Sequence, residues 1–459
     1  MIGIKGAGMT ALAELLTKQG VKITGSDTNE VFFTDGILKK LGIRFHETFD
    51  PKNIGPKTEA IVYSTAYSRE KNTELDAAFE KGIPVLSYPE ALGMLTEEKM
   101  TLAVCGTHGK TTTSAMLADV LRFTGADPSA IVGSRILSWE GNALSGNGQY
   151  LVLEADEYQN KLAKYSPFAV ILTSVDWDHP DSFEDPETYE QVFIDFVKRI
   201  PQHGVLIYCS DSSSVARVAS HATCQKISYG FLPGADYQIA EYAPEKVGFV
   251  PTEAAFKQSF HIQKGEEDLG SFRIKLAGAH NALNATAVLA LSLHLKQDLD
   301  RIRLAFEKFS GTERRFEYIG ERHGAFIYDD YAHHPEEIRA TLQAFRDLFP
   351  EKRLWTIFHP HTFSRTKALL TEFAQSFDQA EGVGVLDIYG RAREEHGGVS
   401  SEELVNKINT FFPGKAQYAS SVPDLIESIE KTMGHQDVII TLGAGNVWEI
   451  SHTLARKKA

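Results

Sequence analysis

Gly106-Thr107-His108-Gly109-Lys110-Thr111-Thr112 stands between an apolar stretch, Thr101 to Cys105, and a run in which Met116, Leu117, Val120 and Leu121 recur at helical spacing. Strand, glycine turn and helix in that order make a phosphate loop. Glycines let backbone N–H groups curl around phosphate oxygens, and the helix N-terminus adds unpaired donors and a favourable dipole. In this reading Gly106, Thr107, His108, Gly109, Lys110, Thr111 and Thr112 hold the phosphates of ATP, with Lys110 neutralising charge and the Thr111 hydroxyl on Mg2+. Val104 stands where the longer nucleotide loop has its first glycine, so the motif is the shorter GxxGKT. An ordinary strand-to-helix turn is the plain alternative.

Outward from the loop, Glu154 lies just past the apolar run Leu151 to Leu153, and His179 follows the run Val170 to Thr173. In a parallel sheet both would stand at strand carboxyl ends, where open α/β sheets bind ligands. Glu154 is a hard oxygen ligand suited to Mg2+, and His179 is a modulating or bridging group. Taken singly, Glu154 could be a helix cap and His179 a hydrogen-bonded loop residue. Asp156, Glu157, Asp178 and Asp181 read as supporting or solvated acids.

The rest of the chain sets the frame. Its 459 residues fit two to four domains, and 42% hydrophobic with 24% charged residues describes a soluble globular protein. No apolar run approaches the roughly 18 residues of a membrane helix, and the N-terminus enters a strand and glycine loop at once, which leaves no room for a signal peptide. Cys105, Cys209 and Cys224 form no paired pattern, as expected in a reducing compartment. A formal charge of -14 repels nucleic acid. The expectation is a cytoplasmic α/β protein with no membrane or nucleic-acid partner, a monomer or homodimer.

Three α/β blocks emerge, at 1–98, 99–311 and 312–459. The first opens with Ile2 to Ile4, a helix over Met9 to Gln19 and a strand at Val21 to Thr24, a βαβ unit. Gly3, Gly6 and Gly8 lie in its turn as GxxGxG, with Asp27 placed 19 residues after Gly8, near where an acid meets a ribose hydroxyl in Rossmann-like units. A nucleotide diphosphate is the expected guest, and a ligand-free tight turn the alternative. The central block carries Val205 to Tyr208 beside the strands above and reads as a mostly parallel sheet. The third restarts with strands near Phe326 to Tyr328, Leu354 to Phe358, Val383 to Leu386 and Val438 to Leu442, after a hinge over Gly311 to Gly320.

The loop, Glu154 and His179, together with Ala279-His280-Asn281-Ala282-Leu283-Asn284-Ala285-Thr286, Gly311-Thr312-Glu313-Arg314-Arg315-Phe316 and Asp329-Asp330-Tyr331-Ala332-His333-His334-Pro335, resemble the Mur ligase family over nearly the whole chain. The resemblance implies a Rossmann-like UDP-sugar domain, a central P-loop ATPase domain and a Rossmann-like C-terminal domain that closes over the nucleotide. It implies ATP and Mg2+ as cofactors and an acyl-phosphate route to an amide bond. By position, Lys110 would contact phosphate, Thr111, Glu154 and His179 the metal, Asn281 and Asn284 the adenine, and Arg315 and Asp330 the nucleotide. Gly6, Ala7, Gly8, Met9, Asp27 and Ser64 would face UDP, and His179, His361 and Arg365 would frame the amino acid.

Within the family, Gly25-Ser26-Asp27, Pro360-His361-Thr362-Phe363-Ser364-Arg365-Thr366 and Gly443-Ala444-Gly445-Asn446 are similar to the branch that adds L-alanine to UDP-N-acetylmuramate. Thr362 stands where that branch usually carries an arginine, and Ser87-Tyr88-Pro89-Glu90 lacks another. The first departure weakens L-alanine, and the second, with Trp177-Asp178-His179-Pro180-Asp181-Ser182-Phe183, leans toward the related ligase that joins a tripeptide during muropeptide recycling. A nicotinamide oxidoreductase would use the N-terminal glycines but leave Lys110 idle, and a catalytically silent nucleotide-binding regulator would not need the set Lys110, Glu154 and His179.

Overall fold

The computed structural model describes residues 1–139, 141–245, 257–390 and 397–456. The chain divides into two compact units, one of Met1–Val175, Glu190–Gly230 and Ala285–Ala305, the other of Asp176–Tyr189, Phe231–Asn284 and Phe306–Ala459.

In the first unit, Ile2 bridges Ser26 and Tyr63 in parallel fashion, between the strand pairs Thr24–Ser26 with Arg44–His46 and Ile61–Tyr63 with Val85–Ser87. The expected strand Ile2 to Ile4 is cut to that one bridge because Gly3 takes φ 78°, a left-handed conformation that ends extension at once. The expected strand at Val21 to Thr24 begins instead at Thr24 and runs to Ser26, since the chain leaving Gly20 is still turning and exposed. The helix between them, Ala7–Lys18, buries every residue from Met9 to Leu15, polar Thr10 and Glu14 included, so its middle is covered all round.

The same unit holds strands in the order Gln225–Gly230, Val205–Cys209, Ala169–Leu172, Met100–Cys105, Tyr150–Glu154, Ser129–Ile131 and Ala143–Leu144. All neighbours in that row are parallel except the last pair. Met100–Cys105 sits in the interior of the row, and its residues from Leu102 to Cys105 are fully buried, the continuous apolar run of a strand covered on both faces. Its carboxyl end delivers the phosphate loop into the helix Lys110–Thr124, which stops at Gly125 in a left-handed cap.

The second unit contains an antiparallel meander, Tyr237–Pro244, Gln258–Lys264 and Glu267–Ile274, and a six-stranded sheet. The strand order of that sheet is Glu317–Arg322, Ala325–Asp330, Asp437–Leu442, Arg353–Phe358, Gly382–Val385 and Ala416–Tyr418, parallel after the first pair. Helix Pro335–Leu348 starts with proline in its first turn and with His334 as cap, its side chain accepting from Glu336 N at 3.3 Å. Phe345 on that helix stacks on Phe316 at 3.9 Å between ring centroids. Phe345 is fully buried, which contributes about 1.5–3 kcal/mol, while Phe316 is partly buried. Among the described residues no helix is long and apolar enough to cross a membrane, and all three cysteines are buried free thiols.

Candidate active site

The phosphate loop is shaped by what lies behind it. Gly106 takes φ 132°, and a Cβ there would come within 2.3 Å of Thr173 Oγ1 and 2.8 Å of Ser174 N, so only glycine passes. Gly109 caps the helix at φ 77°. Thr173 Oγ1 donates to His108 O at 2.5 Å, while Ser174 Oγ accepts from His108 N at 2.8 Å and Ser174 O from Thr107 N at 3.0 Å. Thr173 and Ser174 were not singled out from the sequence. The signal was there, a Thr-Ser pair at the carboxyl end of an apolar run, but only the strand order brings it against the loop.

Lys110 Nζ donates to Gly106 O at 2.6 Å, to Thr107 O at 3.2 Å and to Glu157 Oε2 at 2.8 Å. Burial works against the ammonium, yet Glu157, Asp156 and Glu154 outweigh it and hold its pKa above the usual lysine range. Glu157 is fully buried and is the direct partner of Lys110, so of the two roles expected for it, supporting or solvated acid, it takes the first. Asp156 pairs with Lys161.

Thr111 Oγ1 donates to Glu154 Oε1 at 2.6 Å, and Gly133 N donates to Glu154 Oε2 at 2.6 Å. Burial pushes the Glu154 carboxyl above its ordinary range, with those two hydrogen bonds and Lys110 acting the other way. Two hard oxygens so close together, on a carboxylate that gains from a nearby cation, form a donor set that fits Mg2+.

The N-terminal loop lies in the same unit. Gly6, Ala7, Gly8 and Met9 lead into and begin the first helix, whose first backbone bond runs from Thr10 N to Gly6 O at 2.8 Å. Asp27 is turned inward: its Oδ2 accepts from Lys5 N at 2.7 Å, and its Oδ1 from Thr28 N at 2.8 Å and Tyr67 Oη at 3.1 Å. Ser64 N donates to Ile2 O at 2.9 Å, and a Cβ on Gly3 would lie 2.8 Å from Ser64 Cβ. The structure therefore brings the glycines, Asp27 and Ser64 together around one turn.

Within the second unit, Asn281 and Asn284 lie on the helix Ala279–His294. Asn281 Nδ2 donates to Ala277 O at 2.7 Å, and Asn284 Nδ2 to Asn281 Oδ1 at 3.2 Å. Asp330 accepts from Phe316 N at 2.7 Å and Ala332 N at 2.8 Å. Burial raises its pKa to about 6, although Arg315 pulls the other way. Arg315 lies 3.7 Å from Glu337 and over the Tyr331 ring at 5.0 Å.

Arg365 is 3% exposed and grips Asp178 with both arms, Nε to Oδ1 at 2.6 Å and Nη2 to Oδ2 at 3.1 Å. His361 Nδ1 lies 3.3 Å from Arg365 Nη1, and His179 Nε2 lies 3.6 Å from Asp178 Oδ2. Burial would raise the Asp178 carboxyl, but Arg365 and His179 hold it well below the usual carboxylate range. Asp178 is thus a buried supporting acid, the first of the two roles expected of it, and not a solvated one. His333 and His334 lie in the loop that caps the next helix, with His334 as the cap, and His333 Nδ1 stands 3.2 Å from Glu337 Oε2, where burial lowers its pKa to about 3.

Family models match across this layout: the Mur ligase family, catalytic domain, at residues 1–100, the Mur ligase middle domain at 104–292, and the Mur ligase, glutamate ligase domain, at 314–445. A UDP-N-acetylmuramate–L-alanine ligase of Desulfitobacterium hafniense is 38% identical over 455 residues, 99% of this chain and 98% of the relative. The chain belongs to the Mur ligase family. A second relative of this Mur ligase, the UDP-N-acetylmuramate–L-alanine ligase of Treponema pallidum, is 35% identical and covers 99% of this chain and 95% of its own. Among solved structures, the UDP-N-acetylmuramate–alanine ligase of Thermotoga maritima superposes with a TM-score of 0.81 at 25% identity, covering 99% of this chain and 97% of its own. The murein peptide ligase of Psychrobacter arcticus shares the fold, with a TM-score of 0.71 at 24% identity over 99% of this chain and 97% of its own.

Proposed function

We propose that this Mur ligase uses ATP to join L-alanine to the carboxylate of UDP-N-acetylmuramate, the step that starts the peptide of a peptidoglycan precursor, in the cytoplasm. The observation that carries the chemistry is the loop in which Lys110 and the Thr111–Glu154 pair converge at the carboxyl ends of neighbouring parallel strands. The full-length likeness to alanine-adding enzymes carries the choice of substrates.

Residues 1–98 take the UDP-sugar through Gly6, Ala7, Gly8, Met9, Asp27 and Ser64. Residues 99–311 take ATP through Gly106 to Thr112, Asn281 and Asn284. Residues 312–459 add Arg315 and Asp330 for the nucleotide and His361 and Arg365 for the amino acid, with His179 beside them. The acceptor carboxylate and the triphosphate are both anions. Two unit charges 4 Å apart repel by about 1 kcal/mol in water and about 4 kcal/mol at an effective dielectric of 20. Lys110 and the loop N–H groups offset that repulsion as a carboxylate oxygen attacks the γ-phosphorus and the bond to ADP breaks. The amine, once it has given up its proton, attacks the acyl carbon and phosphate leaves. His179 assists that deprotonation. Thr111 and Glu154, with His179 as a modulating group, would hold Mg2+, which when bound supplies further charge neutralisation.

A tripeptide is the second reading for the amine: Ser87 to Glu90 and Trp177 to Phe183 lean toward it, and Thr362, which caps the helix Phe363–Ala368 at φ 69° where an arginine is usual in the alanine-adding branch, weakens the case for L-alanine. The deciding experiment supplies ATP, Mg2+ and UDP-N-acetylmuramate and compares L-alanine, L-serine, glycine and the tripeptide by phosphate release and product mass. L-Alanine should give the highest kcat/KM. Turnover with the tripeptide alone would reassign the amine, and no phosphate release with any of them would overturn the ligase reading.

A further inference from the structure

Asn142 takes no part in the chemistry above, yet it stands where the two nucleotide loops of the first unit are tied together. It is fully buried, just ahead of the strand Ala143–Leu144. Its Nδ2 donates to Ala7 O at 2.9 Å and to Val132 O at 3.1 Å. Both partners are carbonyls, so the orientation of the amide is fixed by chemistry. Its Oδ1, equally buried, has no hydrogen-bond partner among the described residues, and the side-chain contacts described are made through its donors.

The path continues on both sides. Val132 is followed by Gly133, whose N–H donates to Glu154 Oε2 at 2.6 Å, and Glu154 Oε1 accepts from Thr111 Oγ1 at 2.6 Å. On the other side, Glu14 lies on the helix that Ala7 opens, and its Oε2 accepts from Asn142 N and Ala143 N, each at 3.2 Å. Gly141 is required for that approach, because a Cβ there would lie 2.4 Å from Glu14 Oε2. Glu14 holds the helix to this segment, while the Asn142 side chain reaches the glycine loop itself.

We infer that Asn142 is a positioning residue that sets the distance between the acceptor-nucleotide loop, Gly6 to Met9, and the Glu154–Thr111 pair, and so sets the reach of the acceptor carboxylate toward the γ-phosphate. The inference rests on the ligase reading given above. In-line attack needs the reacting atoms within about 3–3.5 Å, and a misplacement of about 1 Å can cost 10²-fold. The acceptor is held at its nucleotide end by one loop and reacts at the other, so slack at Ala7 is passed to the carboxylate.

The test uses the full-length enzyme with ATP, Mg2+, UDP-N-acetylmuramate and L-alanine, comparing wild type with Asn142→Ala and with Asn142→Asp, which keeps the size and loses both donors. Both variants should lose about 10- to 100-fold in kcat and show a raised KM for UDP-N-acetylmuramate. The KM for L-alanine and the Kd of a non-hydrolysable ATP analogue should stay within about two-fold of wild type, since the loop around Lys110 is untouched. Should Asn142→Ala fail to fold, Asn142→Asp carries the same comparison. Variants that melt earlier but keep wild-type kcat and KM would make Asn142 a structural residue and overturn the inference alone. A wild-type enzyme that turns over no amine with UDP-N-acetylmuramate would overturn the ligase reading, and the inference with it.

Discussion

Two of the ion pairs, Lys110 with Glu157 in the first unit and Arg365 with Asp178 in the second, are built differently. Lys110 touches a single oxygen of Glu157 and two carbonyls of its own loop, at 2.8, 2.6 and 3.2 Å. An ammonium on a flexible stem has three rotatable donors and can trade those partners one at a time for phosphate oxygens. Arg365 is held by both oxygens of Asp178, at 2.6 and 3.1 Å, in the planar fork that guanidinium and carboxylate share. To leave it must break both bonds at once in a dry setting. The first pair is made for exchange and the second for fixing a frame, so a buried ion pair does not by itself mark a reacting group.

The largest effect should come from the exchanging cation. Lys110→Ala should lower kcat on the order of 10³-fold or more with the fold intact, measured by steady-state phosphate release. Retained turnover would erase the distinction between the pairs. Asp178→Asn, by contrast, should act on stability. Leaving Arg365 buried with half a partner costs about 3 kcal/mol or more at neutral pH, read from denaturant unfolding. Because the folded pKa of Asp178 is depressed, its contribution is present above the unfolded carboxylate pKa and lost as pH falls through the folded value, so the gap to wild type should close in acid.

Asp330 gives the opposite sign and sharpens the contrast. Its folded pKa of about 6 lies above the unfolded value, so protonation favours the folded state; that stability is full below about pH 4 and lost as pH rises through about 6. The difference in unfolding free energy between wild type and Asp330→Asn should shift by about 2 kcal/mol between pH 4 and pH 7, in favour of the variant at pH 7. The smallest effect is expected from Glu157→Gln. It keeps an acceptor near Lys110 and removes the charge, and should cost about 10-fold in kcat/KM for ATP. A loss as large as that of Lys110→Ala would give Glu157 a direct part in the reaction.

Much of this was legible in the sequence where one short segment contains its own explanation. The Lys110 loop is strand, glycine turn and helix within 24 residues counted from Thr101 to Thr124, and period and punctuation suffice to read it. Glu154 could be placed because it ends an apolar run. The strand expected at Ile2 to Ile4 does not extend, because although apolar residues alternate there, Gly3 takes a positive φ that stops it. The partners of Glu157 and Asp178, and the roles of Thr173 and Ser174, are not legible for a different reason. Their partners are 47, 187, 65 and 66 residues away in sequence, and only the order of strands or the packing of the second unit makes them neighbours. His333 reads as a polar loop residue until burial around it is known.

The central claim is that a carboxylate oxygen of the acceptor attacks the γ-phosphorus beside Lys110. UDP-N-acetylmuramate carrying 18O in its carboxylate, turned over with ATP and L-alanine, tests it by mass analysis of the released phosphate. One 18O atom per phosphate is the expected result. Phosphate free of label would contradict it, since the bond between acceptor oxygen and phosphorus would never have formed.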